Sequence, residues 1–121
     1  MKKQVFGTSH VPLSPAVRAG DFVFVSGQVP VDANGNMVAG GIKEQTRQVL
    51  ENIKAALALA GARMEDVVKT TVYLADFSDF QAMNAVYVRA FPTDPPARAT
   101  VGVSALPRGA KIELEAIARL P

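Results

Sequence analysis

The sequence predicts a single α+β domain over residues 1–121, a mixed β-sheet with two helices packed on one face. Three observations point there: the run Phe22-Val23-Phe24-Val25, apolar at every position; helical hydrophobic spacing over 42–60 and 80–91; and β-branched or alternating stretches between and after them. With 121 residues and 49% apolar composition, the chain can build one core and has no need of disorder.

Residues 17–19 and 22–26 read as two hairpin strands joined at Gly20-Asp21. Because 22–25 is apolar at successive positions, both faces of that strand should be buried. Asn34-Gly35 marks the next turn, and Gly40-Gly41 ends the loop region. Over 42–60 the pattern becomes helical, with Ile42, Val49, Leu50, Ile53, Leu57 and Ala60 on one face and Gly61 at the place of a C-terminal cap. Residues 67–74 are β-branched and alternating, hence a strand. Ser78-Asp79-Phe80-Gln81 has the form of a capping box. The helix it opens carries Phe80, Met83, Tyr87 and Phe91 and stops at Pro92. Residues 99–103 and 111–119 supply the last two strands. Both helices are crossovers, and right-handed connections set them on the same side of the sheet. The other side is then bare, including one side of the 22–25 strand, and self-association is the simplest way to cover it.

Composition excludes several functions. With no cysteine there is no disulfide framework, thiolate zinc site or cysteine nucleophile, which agrees with a reducing, cytoplasmic setting. No apolar run is long enough to span a bilayer, and the N-terminus does not read as a signal peptide, so no membrane partner is expected. The formal charge of +2 comes from 13 basic and 11 acidic residues that are scattered rather than striped, so nucleic acid is not an expected partner. His10, the one histidine, falls in a loop and reads as a surface residue. One histidine without cysteine makes a metal site unexpected, and neither a dinucleotide-binding glycine motif nor a P-loop occurs.

A small polar set remains. Arg98 follows Pro95-Pro96-Ala97 and opens a strand, so its starting point is stiffened; arginine suits a bidentate grip on a carboxylate, and equally a surface or interface salt bridge. Glu113 and Glu115, two apart on one strand, share a face, where they could do acid–base work or pair with Lys111 and Arg119. Ser26-Gly27 ends the apolar strand, and glycine there signals close approach by a ligand or another strand. Tyr73 and Tyr87 could stack on a ligand, although the spacing of Tyr87 with Met83 and Phe91 reads first as core.

Six segments, Val25-Ser26-Gly27-Gln28-Val29-Pro30, Gln45-Thr46-Arg47-Gln48-Val49-Leu50-Glu51-Asn52-Ile53, Val67-Val68-Lys69-Thr70-Thr71-Val72-Tyr73-Leu74, Met83-Asn84-Ala85-Val86-Tyr87, Pro96-Ala97-Arg98-Ala99-Thr100-Val101 and Lys111-Ile112-Glu113-Leu114-Glu115-Ala116-Ile117-Ala118, follow one another along the chain. Through them the chain resembles the RidA/YjgF family over nearly its whole length. It implies a chorismate-mutase-like fold assembled as a homotrimeric barrel with clefts between subunits. It also implies hydrolytic deamination of 2-imino acids or enamines, such as 2-iminobutyrate or 2-aminoacrylate, to 2-keto acids and ammonia, with no cofactor or metal. By position, Arg98 matches the substrate-binding arginine and Glu113 the glutamate that positions or activates water. Ser26 and Gly27 match the cleft lining, Asn84 an asparagine near the site, and Thr100 a common cysteine whose backbone carbonyl orients water. Ala16, in Leu13-Ser14-Pro15-Ala16, replaces a family tyrosine, and a looser pocket is expected from that loss. Two other readings stay open: a non-catalytic trimeric binder of keto or carboxylic acids, and the ribonuclease activity ascribed to some relatives, which the scattered charge argues against.

Overall fold

Six strands in the order β1-β2-β3-β6-β4-β5 form one mixed sheet in the computed structural model, which describes residues 2–121. In chain order they are β1 (Gln4–Phe6), β2 (Ala16–Ala19), β3 (Phe22–Gln28), β4 (Val67–Leu74), β5 (Ala97–Gly102) and β6 (Ile112–Arg119). Helix α1 (Ile42–Leu59) links β3 to β4, and α2 (Phe80–Ala90) links β4 to β5. β4 and β5 pair in parallel and every other pairing is antiparallel, so β5 ends the sheet as an edge strand. The expected element order and class are therefore present, with both helices on one side.

The period of two decides what that side holds. Val23 and Val25 of β3, Thr70, Val72 and Leu74 of β4, and Ile112, Leu114, Ala116 and Ala118 of β6 are buried beneath the helices. Val49, Ile53 and Leu57 of α1 and Met83, Val86 and Tyr87 of α2 close the core from above. Only half of the 22–25 expectation holds within one chain: Val23 and Val25 are buried, but Phe22 and Phe24 are 43% and 45% exposed on the uncovered face.

The polar residues of the Gln45 to Asn52 stretch tie α1 to distant backbone. Gln45, itself buried, accepts from the Lys111 N–H at 2.8 Å, and Thr46 donates to the Ile42 carbonyl at 2.7 Å. Asn52 donates to the carbonyls of Val29 and Val31 at 3.1 and 2.9 Å, and accepts from Gln48 at 2.9 Å. The long-range bonds of Gln45 and Asn52 satisfy backbone groups of distant loops, while that of Thr46, local to α1, satisfies its own buried hydroxyl. Gly61 takes φ +79° just after α1, the left-handed position that ends many helices, and its N–H reaches the Ala58 carbonyl at 3.1 Å.

Two local expectations fail. The capping box at Ser78 and Gln81 does not form; Asp76 accepts instead from the Ser78 N–H and hydroxyl, at 3.0 and 2.7 Å. A short 3-10 turn, Phe77–Asp79, then precedes α2, whose first residue follows Asp79 with no side-chain cap. The strand β1 was not expected either: three largely exposed residues give no periodic signal.

Candidate active site

Arg98 stands on the helix side of the edge strand. It pairs in register with the fully buried Thr70, and its side chain reaches α2. There Nη1 donates to Asn84 Oδ1 at 2.7 Å, and the guanidinium lies 4.8 Å from the Tyr87 ring centre and 5.6 Å from that of Phe80. The positions 80, 84 and 87 recur along one face of a helix, so about two turns of α2 hold the cation. Asn84 takes one of five N–H donors, and the rest remain for an anion.

Glu113 lies on the other side. It pairs with Tyr73, whereas Arg98 pairs with Thr70, three positions away along β4. Alternation then sends the glutamate to the uncovered face, with Glu115, Tyr73 and Thr71. Between the pairs Val25–Ala116 and Gln28–Leu114, two residues of β3, Ser26 and Gly27, stand against Glu115 alone, which makes a β-bulge. The Glu113 carboxylate occupies the space where a side chain on Gly27 would begin. The close approach signalled by Ser26-Gly27 is thus made by a strand neighbour's carboxylate.

Burial, and then repulsion from Glu115, pushes the Glu113 carboxyl above the usual glutamate range, which makes it a better proton acceptor once ionised. Among the described residues neither glutamate pairs with Lys111 or Arg119; Glu115 accepts from the Tyr73 hydroxyl at 2.5 Å, and that bond raises the tyrosine pKa. Ser26 is engaged structurally: its hydroxyl donates to the Ser14 carbonyl at 2.6 Å and its N–H to the Pro15 carbonyl at 3.0 Å, clamping the preceding loop to β3. Thr100 shares the Arg98 face, and its Oγ1 is buried with no hydrogen-bond partner among the described residues. Ala16 is fully buried in the core opposite Val25, so in the chain by itself it lines no open wall. His10 is exposed in the loop after β1.

One chain therefore builds half a site on each face and brings Arg98 and Glu113 together on neither. A hollow of about 590 Å³ lies elsewhere, between α1 and the end of α2, lined by Leu50, Lys54, Met64 and Arg89; it holds none of these groups and opens to solvent. Geometry and chemistry favour the two sheet faces over that larger hollow, because they carry the oriented cation and the perturbed carboxylate.

Residues 6–120 match the family described as Endoribonuclease L-PSP. The chain belongs to the RidA/YjgF family. A RutC family protein of Pyrococcus horikoshii is 55% identical over 108 residues, covering 88% of this chain and 86% of its own length. The human protein named 2-iminobutanoate/2-iminopropanoate deaminase is 44% identical, over 88% of this chain and 79% of its own. Among solved structures, yeast Mmf1 superposes with a TM-score of 0.96 at 36% identity, covering 99% of this chain and all of the other. Escherichia coli TdcF, solved with bound serine, gives 0.90 at 33%, covering 98% and 99%.

The six RidA/YjgF segments have distinct places in this fold. The Gln45 stretch is scaffold, through the backbone ties of Gln45 and Asn52. The stretches around Asn84 and Arg98 meet at the guanidinium, and those around Gly27 and Glu113 meet at the carboxylate. The residue that reading by position missed is Phe80; aromatic spacing on a helix suggested core, and its contact with Arg98 could be found only once β5 was placed. No helix among the described residues is long and apolar enough to cross a membrane.

Proposed function

We propose that the chain hydrolyses 2-imino acids and their enamine tautomers to 2-keto acids and ammonia, in a homotrimer whose clefts join the Arg98 of one copy to the Glu113 of another. The observation that carries this reading is the Arg98 guanidinium, seated on α2 with donors to spare for a planar carboxylate. Its support is the membership of a family with deaminase-named members, the raised Glu113 carboxyl, and an uncovered face with Phe22 and Phe24 exposed on it. Three copies burying those faces would form a barrel and set edge strand β5 of one against its neighbour.

In such a cleft Arg98 holds the substrate carboxylate and fixes the imine carbon. Glu113 accepts a proton from water as the oxygen attacks the carbon of the protonated imine, giving a neutral carbinolamine, and hands that proton to nitrogen; it then takes up the hydroxyl proton as the carbonyl forms, the C–N bond breaks and ammonia leaves. The Thr100 hydroxyl and backbone lie on the Arg98 face, and an unpaired buried hydroxyl is a natural partner for a bound water. Imines hydrolyse readily, so binding, orientation and one proton carrier are sufficient, without metal or cofactor.

A second reading is a trimer that binds keto acids without turnover, for which the Arg98 half-site, finished within one chain, would be enough. Generating 2-iminobutyrate in situ and following ammonia and 2-oxobutyrate release decides between them. Acceleration above the spontaneous rate is expected. Tight 2-oxobutyrate binding with no acceleration would leave only the binder.

A further inference from the structure

Arginine ends in a plane that must be held at a fixed angle if it is to grip another plane through two hydrogen bonds. Four rotors separate that plane from the backbone, so its direction has to come from its neighbours. Asn84 fixes one nitrogen, but a single hydrogen bond lets the plane pivot. The ring of Tyr87, 4.8 Å from the guanidinium carbon, removes that freedom by lying against the cation.

Tyr87 is itself fixed from below. Its hydroxyl shares a 2.7 Å hydrogen bond with the hydroxyl of Thr70, fully buried on β4, and Thr70 is the residue that the parallel register places beside Arg98. The linkage closes on itself: arginine to ring, ring hydroxyl to threonine, threonine across the strand pair to the arginine backbone. Phe80 lies farther from the cation, at 5.6 Å, and is stacked on Phe77, so it borders the plane without being anchored to β4.

We propose that Tyr87, anchored by Thr70, is a positioning residue that sets the plane of the Arg98 guanidinium and so the orientation of the bound carboxylate. The inference rests on the reading of Arg98 as a carboxylate clamp. The competing view is that Tyr87 only fills the core, where it is buried and meets the Phe91 ring at 5.0 Å.

The experiment titrates 2-oxobutyrate calorimetrically and measures kcat and KM on 2-iminobutyrate for the wild type, Tyr87→Leu, Tyr87→Phe, Thr70→Val and the double variant Thr70→Val/Tyr87→Phe. Tyr87→Leu, which loses the ring, is expected to weaken 2-oxobutyrate binding and raise KM about tenfold, with kcat changed by no more than about twofold. Each single hydroxyl deletion raises Kd and KM about threefold, because a buried partner is left unpaired; the double variant is no worse than either. Should Tyr87→Leu fail to fold, the hydroxyl pair carries the test alone. Unchanged Kd and KM alongside a lowered Tm, or a loss confined to kcat, overturns the positioning role. A wild type that binds 2-oxobutyrate without hydrolysing imines loses the deaminase reading while Kd still tests this one. A wild type that hydrolyses imines without binding 2-oxobutyrate overturns the clamp and leaves the deaminase standing.

Discussion

On the helix-covered face of the sheet, Arg98 is held by three side chains of α2 and braced by Thr70 beneath. On the opposite face, Glu113 lies over the bare backbone of Gly27, with Glu115 and two exposed phenylalanines for company. The first half-site is finished by its own chain. The second is open, electrostatically strained and edged with apolar surface, which is how a surface looks when another copy is needed to complete it.

That contrast can be broken most directly at the arginine. Arg98→Ala should lower kcat/KM for imine hydrolysis about 10³-fold, since both arms of a charge-assisted pair are lost, while light scattering still reports the wild-type assembly. Glu113→Gln should lower kcat about 100-fold with KM little changed, because it removes the proton carrier and leaves the clamp. Mixing these two inactive variants under conditions of subunit exchange sharpens the comparison. If the two half-sites meet between copies, about one quarter of wild-type activity returns, the random share of interfaces with both residues intact. No recovery would mean that each chain must supply both.

Smaller effects probe the uncovered face. Gly27→Ala puts a methyl group where the carboxylate lies, and should reduce kcat about tenfold through displacement of Glu113. The pH response has a definite sign. Glu113 is raised first by burial and then by Glu115, and it must be ionised to accept a proton, so the acid limb of the rate profile lies above that of an ordinary glutamate. Glu115→Gln removes the repulsion and moves that limb to lower pH. In the same window the folded chain binds more protons than the unfolded one, so stability falls as pH rises from the ordinary glutamate pKa through the raised one. Thermal unfolding of Glu113→Gln should lack that decline.

Much of this was legible before the fold was seen. Hydrophobic period gave both helices and β4, because 3.6 and 2 are hard to confuse over stretches such as 42–60 and 67–74, and the Gly20-Asp21 turn with the apolar run at 22–25 gave the β2–β3 hairpin. Arg98, Gly27 and Glu113 stood out by residue type and position with their roles open, and the resemblance added Asn84 and a role for each. What was illegible depends on partners remote in sequence. The partner of the buried Gln45, the Lys111 N–H, lies 66 residues away, so no local pattern announces it. Ser78 offers a cap that Asp76 makes redundant. The division of Arg98 and Glu113 between faces needed the register of two strands against β4, which no local pattern encodes. Tyr87 was read correctly as a packed ring; its second contact was hidden because a core aromatic and an arginine platform have the same spacing.

The arginine half-site lies wholly within one β-α-β unit, from Thr70 to Arg98, whereas Gly27 and Glu113 come from distant parts of the chain. Contacts local in sequence close early in folding and at small entropic cost, and distant ones wait for the sheet to be complete. A newly made copy would thus be able to hold a carboxylate before it could process one. Small keto acids would then act on the protein as ligands that favour the folded form, by mass action, ahead of any turnover.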